Sequence, residues 1–372
     1  MSAPATTPDL LYSQEEEDLR AAVRDLLGDR CDPASVLARI ESGEAHDPTL
    51  WKSLAEDMGL AGLLVPEERG GQGAGHREAA VVLEELGRAV APVPYLTSAV
   101  VATEALLACT GPEADRLLAG LASGRTVGVL AVSLTGTPGD APRTATVENG
   151  ALHGEFTGVA DARAADVLLV PGGDGALYAV DTTARGVAVT PRVSLDLTRP
   201  VDTVTLDGAA ATRVADDAAG PVERALRAGA GLLASEQLGI AERVLTETVG
   251  YLKDRRQFNR QVGGFQALKH RLARIWLDLV NLRAVARSAA DALATGSEDT
   301  DVAVAVAQTY AGRVAVHAAE EAVQLHGGIG MTWEHPTHLY LKRAKADSLA
   351  YGSAGRHKER LAELVDLRGP SA

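Results

Sequence analysis

The stretch that most restricts the fold is the last third of the chain. From Leu226 to Leu252 apolar residues recur at helical spacing with no proline to break them. A run of that length reads as one long helix with a wide face to bury. Three more helical stretches follow at about Phe265–Thr295, Asp299–His326 and Pro336–Ala350, with Gly327-Gly328 interrupting after the third. Four such helices predict a C-terminal four-helix bundle, and long bundle helices with broad apolar faces commonly bury surface against other subunits.

The preceding sequence has two textures. Residues from about Ser13 to Gly124 are helical in pattern: Ser13 with Glu16 fits a capping box ahead of Leu19, Val23, Leu26 and Leu27. Pro66 to Gly73 breaks the pattern as a loop, and Pro92 and Pro94 end the helix that follows it. Near Arg125 the pattern changes to short β-branched runs, at Val127–Val132, Thr144–Val147, Val167–Val170, Ala176–Val180, Val187–Val193 and Val201–Leu206. Turns rich in Gly, Pro and Asp separate them. The expected architecture is α+β and multidomain. It has an N-terminal α-helical domain (1–124), a middle antiparallel β domain (125–215) and the C-terminal bundle (216–372).

Composition narrows the function. The chain has 372 residues, 50 acidic against 36 basic, and a net charge of −14. Nucleic acid would repel it. No apolar run reaches membrane-spanning length, and Met1 to Glu17 lacks the order of a signal peptide. Cys31 and Cys109 lie far apart in helix-like surroundings, which predicts reduced thiols rather than a disulfide or metal site. His326, His335 and His338 have no acidic or cysteine partners at ligand spacing, so no metal site is expected. The cytoplasm is the expected compartment.

Two segments carry recognisable chemistry. Arg255-Arg256-Gln257-Phe258 is followed by Phe265-Gln266. A guanidinium fork matches phosphate oxygens bidentately. Further on, Gln324-Leu325-His326-Gly327-Gly328-Ile329-Gly330 ends a helix, and paired glycines let a backbone approach a ligand closely. With Leu341-Lys342-Arg343-Ala344-Lys345 and Tyr351-Gly352-Ser353, and with Pro66-Glu67-Glu68-Arg69-Gly70-Gly71 upstream, these resemble the acyl-CoA dehydrogenase family of FAD flavoenzymes. The resemblance runs from Leu19 to about Leu364. It implies that FAD is held across a subunit interface, with contacts from Arg255, Gln257, Phe258, Val262, Phe265, Gln324, Gly327, Gly328 and Ser353. The Gln324 segment is thereby assigned to the flavin of the neighbouring subunit. It further implies an acyl-CoA or acyl-carrier-protein thioester as substrate, an electron acceptor such as electron-transfer flavoprotein, and a dimer or tetramer, homomeric or heteromeric.

The chain departs from the family at the base. Oxidising an acyl thioester removes an α-proton while hydride leaves Cβ, and a carboxylate suits the first step. Counted without gaps from Gln324, the family glutamate falls at Tyr351. The other position relatives use, counted back from Arg255, falls at Gly229. A phenol with an ordinary pKa of about 10 is a poor base at neutral pH. Glu223, Glu236 and Asp347 are the nearby carboxylates available to substitute. In the β domain, Val132-Ser133-Leu134-Thr135 is a thinned form of the loop that touches the flavin ring, and Phe156-Thr157-Gly158 stands where a Trp-Ile-Thr strand is expected. Asp196, Thr198 and Arg199 match a recurring family stretch and read as a structural turn. The favoured expectation is a base-less subunit of a heteromeric dehydrogenase. A self-sufficient homomer with an unusual base, and a flavin monooxygenase of the same fold, remain as alternatives.

Overall fold

A computed structural model describes residues 10–367. The N-terminal part comprises α1 (Gln14–Arg30), α2 (Pro33–Ser42), α3 (Pro48–Lys52), α4 (His76–Ala89), α5 (Thr103–Leu107) and α6 (Pro112–Ala122). Its helix starts follow from sequence. The Ser13–Glu16 capping box forms, and Asp32 and Asp47 cap α2 and α3 ahead of prolines in the first turn. Tyr95–Ala102 adopts π-helical geometry, a rare form that often marks functional regions.

The middle strands are β1 (Gly128–Leu130), β2 (Thr146–Glu148), β3 (Ala151–Ala160), β4 (Val167–Pro171), β5 (Leu177–Asp181), β6 (Val187–Pro191), β7 (Val201–Ala210) and β8 (Thr212–Ala215). They form two four-stranded sheets, ordered β1-β4-β5-β8 and β2-β3-β7-β6. Phe156, Leu152, Leu168, Val180 and Val204 fill the space between them. One pairing differs from the antiparallel expectation: β1 runs parallel to β4. Between those two strands the chain crosses to the other sheet, builds β2 and β3, and returns, which is the long crossover that parallel pairing demands. The ten-residue β3 lay outside the β-branched runs because Gly154, Gly158 and alternating polar residues interrupt it.

The bundle consists of α7 (Ala219–Asp254), α8 (Gln266–Thr295), α9 (Thr300–His326) and α10 (Thr337–Asp347). A short hairpin, β9 (Arg256–Gln257) with β10 (Arg260–Gln261), precedes α8, and α11 (Ala354–Leu364) follows the bundle. The 36-residue α7 joins the two helical regions. Where it crosses α4, backbones meet directly: a Cβ on Gly239 would lie 1.9 Å from the Glu84 carbonyl oxygen, and one on Gly87 would lie 2.2 Å from that of Glu236. Only glycine permits that approach. It brings α7 against the N-terminal helices and so positions the site described next.

Candidate functional site

The two motif segments meet at one end of the bundle. α7 and α9 both finish there, and the Tyr251 ring stacks on the His326 imidazole with centroids 4.5 Å apart. After α7 the chain turns through the β9–β10 hairpin, whose tip residues Phe258 and Asn259 both have positive φ, 51° and 59°. A two-residue hairpin of this hand demands that conformation, and a phenylalanine pays strain to hold it. Phe258 is 86% exposed and meets Phe265 edge-on at 6.1 Å. Val262 opens a single turn that returns its N–H to the Arg255 carbonyl at 2.9 Å. Arg255 and Gln257 are exposed, and their side chains have no hydrogen-bond partner among the described residues. On the neighbouring helix end Gln324 is exposed. Gly327 has φ 65° and ψ −141°, a conformation essentially restricted to glycine. A Cβ on Gly327 or Gly328 would meet nothing within 4 Å. One chain therefore presents a free guanidinium and an open glycine backbone from adjacent helix ends. Ser353 lies apart, capping α11 by accepting from the Arg356 N–H at 3.4 Å.

Tyr351 and Gly229, which counting places where a base is expected, face each other in the interior. Tyr351 is 2% exposed, and a Cβ on Gly229 would lie 3.2 Å from Tyr351 Cζ and 2.8 Å from Val101 Cγ2. The phenol ring thus occupies the space that a carboxylate on either residue would share. Its backbone is fixed on both sides, since Tyr351 N–H donates to the Leu134 carbonyl at 2.7 Å and its carbonyl accepts from His357 Nε2 at 2.9 Å. A cavity of about 10 Å³ remains beside the ring, bordered by Thr97, Val101, Leu130, Leu134 and Ala160. Burial pushes the phenol well above its ordinary range, so it stays protonated.

The loop before β2 closes over this pocket. Ser133 and Thr135 hydroxyls bond each other at 2.9 Å, and the Leu134 N–H donates to the Gly158 carbonyl at 2.8 Å. One hydroxyl proton of that pair and the Leu134 N–H are thereby engaged within the chain.

Beneath Tyr351 lies a buried ionic cluster. Arg199 bridges Glu236 at 2.6 Å and Asp347 at 2.7 Å. Arg343 bridges Glu236 and Asp196, each at 2.7 Å, and donates to the Thr198 hydroxyl at 2.8 Å. The Asp196–Thr198 turn is present, with the Thr198 hydroxyl on Asp196 at 2.6 Å, but it does more than turn the chain, because it delivers Arg199 into the interior. Burial alone would raise the Glu236 carboxyl; the two guanidiniums outweigh it and hold Glu236 below its usual range. Asp347 moves the opposite way: burial first, then the Glu236 charge, raise it well above the ordinary carboxylate range. Its Oδ2 has no hydrogen-bond partner among the described residues. Neither acid is suited to be a base, because Arg199 and Arg343 hold the Glu236 oxygens and Arg199 holds Asp347. Glu223, the third candidate, accepts from the Gly139 N–H at 2.6 Å near the surface.

Sequence reasoning missed a further group. Asp161, itself at φ 58°, accepts from the Thr97 hydroxyl at 2.7 Å and pairs with His46 Nε2 at 2.9 Å, linking the β domain to the N-terminal helices. Nothing local in the sequence marks that trio. The acid in Gly231-Leu232-Leu233-Ala234-Ser235-Glu236-Gln237-Leu238 was visible as a charge inside an apolar run, which signals a buried pair.

Comparisons with known proteins give a consistent picture. Family models match residues 13–125 as "Acyl-CoA dehydrogenase, N-terminal domain" and 221–365 as "Acyl-CoA dehydrogenase, C-terminal domain". The acyl-CoA dehydrogenase IpdE2 of Mycolicibacterium smegmatis is 36% identical over 94% of this chain and 98% of its own. Among solved structures, the ChsE4-ChsE5 complex of Mycobacterium tuberculosis aligns with a TM-score of 0.83 at 30% identity, covering 97% of this chain and 100% of that one. A variant of the Tcur3481-Tcur3483 steroid dehydrogenase pair aligns with a TM-score of 0.82 at 29% identity over 95% of this chain and 98% of that one.

Proposed function

Because this chain belongs to the acyl-CoA dehydrogenase family, as its family models and relatives show, we propose that it is the base-less subunit of a heteromeric, flavin-dependent acyl-thioester dehydrogenase. The observation that carries the reading is the Tyr351 ring packed on Gly229. Both positions that supply the family's base converge on one spot, and a neutral, buried phenol fills it.

The residues present fit half of a flavin dinucleotide. At the bundle end Arg255, Gln257, Phe258, Val262 and Phe265 would hold the diphosphate and adenylate portion of one flavin, and Gln324, Gly327 and Gly328 would contact the flavin of the neighbouring subunit. Among the described residues Arg255 has its donors free, and the Gly327–Gly328 backbone lies open to a ligand. The ring-binding half does not fit within this chain, where the Ser133–Thr135 loop and Tyr351 close on each other. FAD, when bound, supplies the hydride acceptor. This chain's part is to clamp the dinucleotide by charge and backbone while a partner subunit contributes the base and the ring pocket. The neighbours solved as two-protein complexes support such a division of labour. Because the Tcur pair is titled a steroid dehydrogenase, steroid-derived acyl thioesters are the first to try.

Co-expression with each glutamate-bearing dehydrogenase of the same genome tests the reading. The expected result is a yellow complex whose flavin is bleached anaerobically by acyl-CoA, while this chain alone bleaches little. Rapid bleaching by this chain alone would refute it.

A further inference from the structure

Two rare backbone features coincide away from the bundle end. Thr97 lies in the π-helical stretch Tyr95–Ala102, and Asp161 holds a left-handed φ of 58°. Both forms cluster at functional positions. Their side chains meet, and His46 completes the trio. The Thr97 hydroxyl engages Asp161 Oδ2 at 2.7 Å, and His46 Nε2 engages Oδ1 at 2.9 Å. Thr97 borders the Tyr351 pocket, while His46 borders a separate cavity of about 470 Å³. That volume suits a small-molecule ligand.

The larger cavity lies between the α2–α3 loop and the β domain. Pro48, Trp51, Pro94 and Val127 give it apolar walls, and Trp51 is held in place by donating to the Gly124 carbonyl at 3.2 Å. Two polar side chains border it with capacity unused. Burial alone would raise the Asp161 carboxyl, but the His46 contact, Arg199 and Thr97 outweigh it and hold it below its usual range, hence ionised. An ionised carboxylate only accepts, so His46 Nε2 carries a proton, and the acceptor of the neutral ring is Nδ1. Nδ1 has no partner among the described residues. Arg163 spends Nε on Asp202 at 2.8 Å, which leaves its two terminal amino groups without a partner among the described residues. His46 and Arg163 both lie close enough to Asp202 to act on its charge. Glu44 and Asp47 also border the cavity, and with Asp161 behind His46 they disfavour an anion there.

We propose that this cavity binds a neutral alcohol with an apolar ring body. The rings lie against Trp51 and the two prolines. The hydroxyl donates to His46 Nδ1, and Arg163 is the donor available to its oxygen. A ketone only accepts and leaves Nδ1 unpaired. A carboxylate meets the repulsion of Glu44 and Asp47. The inference does not depend on the flavin reading.

Calorimetric titration of the full-length chain at pH 8 with adamantanol, adamantanone and adamantanecarboxylate tests it. Saturable binding of one adamantanol per chain is expected. It should be about two- to tenfold tighter than adamantanone, the difference one hydrogen bond makes, and tighter than the carboxylate. His46→Phe should erase the advantage of the alcohol over the ketone. If stranding Asp161 keeps that variant from folding, Ala45→Phe decides, because it fills the cavity from a partly exposed loop position and should abolish binding. Absence of saturable adamantanol binding at millimolar concentration would overturn the proposal. So would equal affinity for alcohol and ketone in the wild type, an advantage retained in His46→Phe, or unchanged binding in Ala45→Phe.

Discussion

Replacing Tyr351 by glutamate restores the family's acid at its counted position, and the structure predicts that this chain will not gain catalysis from it. The change removes a fully buried ring that packs on Gly229 and Val101 and lines a residual cavity of only about 10 Å³. Losing a buried aromatic costs about 3–5 kcal/mol. The new carboxyl would stand near Asp161, Glu236 and Asp347, with Arg199 as the nearby cation, and Arg199 is already held by two of those acids. Burial and like charge would therefore raise its pKa. A carboxyl whose folded pKa exceeds its unfolded value contributes stability below the unfolded pKa and loses it as pH rises through the folded one. The deficit of Tyr351→Glu should then be larger at pH 8 than at pH 5, while Tyr351→Phe should melt within a few degrees of wild type. In anaerobic stopped-flow the lone Tyr351→Glu chain should reduce flavin with acyl-CoA no faster than wild type, because its ring pocket remains closed by Ser133–Thr135. A positioned base is worth 10²–10⁴-fold. A gain of about a hundredfold in the lone variant would show that the pocket opens to substrate and that the missing carboxylate was the sole deficiency.

Arg255→Ala should weaken flavin binding by the assembled enzyme about ten- to hundredfold in an equilibrium titration, since it removes a charge-assisted diphosphate contact. Arg199→Met strands Glu236 and Asp347 around one remaining guanidinium, and breaking a buried pair costs about 3–5 kcal/mol, so thermal melting should fall steeply or soluble yield collapse. Asp347→Asn keeps a neutral group of the same shape. As Asp347 is raised, wild type loses stability as pH climbs through its folded pKa, and the variant's melting temperature relative to wild type should improve from pH 5 to pH 8. Gly239→Ala places a methyl 1.9 Å from the Glu84 carbonyl and should unseat α4 from α7, read as lost soluble protein or early protease cleavage between the helical regions.

Periodicity made the bundle legible: α8 and α9 begin within a residue of where the apolar spacing places them, because a long helix repeats its signal many times. The Ser13–Glu16 cap and the strands of consecutive β-branched residues are equally local. Local signals also identified the motif segments, since an arginine three residues before a phenylalanine and a double glycine after a helix are patterns of a few neighbouring residues. What remained hidden depends on residues far apart in the chain. β3 needed β7 to hold its interrupted sequence in register, and the parallel β1–β4 pairing depends on a crossover that no strand records in itself. Counting showed that Tyr351 and Gly229 lack a carboxylate. Only the packing of α7 against the α10–α11 connection shows that the ring of one fills the space above the other. The same holds for Glu236 and Asp347. As letters they are two spare acids, but burial beside Arg199 and Arg343 moves the pKa of one down and of the other up, because the energy of a buried charge is set by what lies within a few ångströms in space.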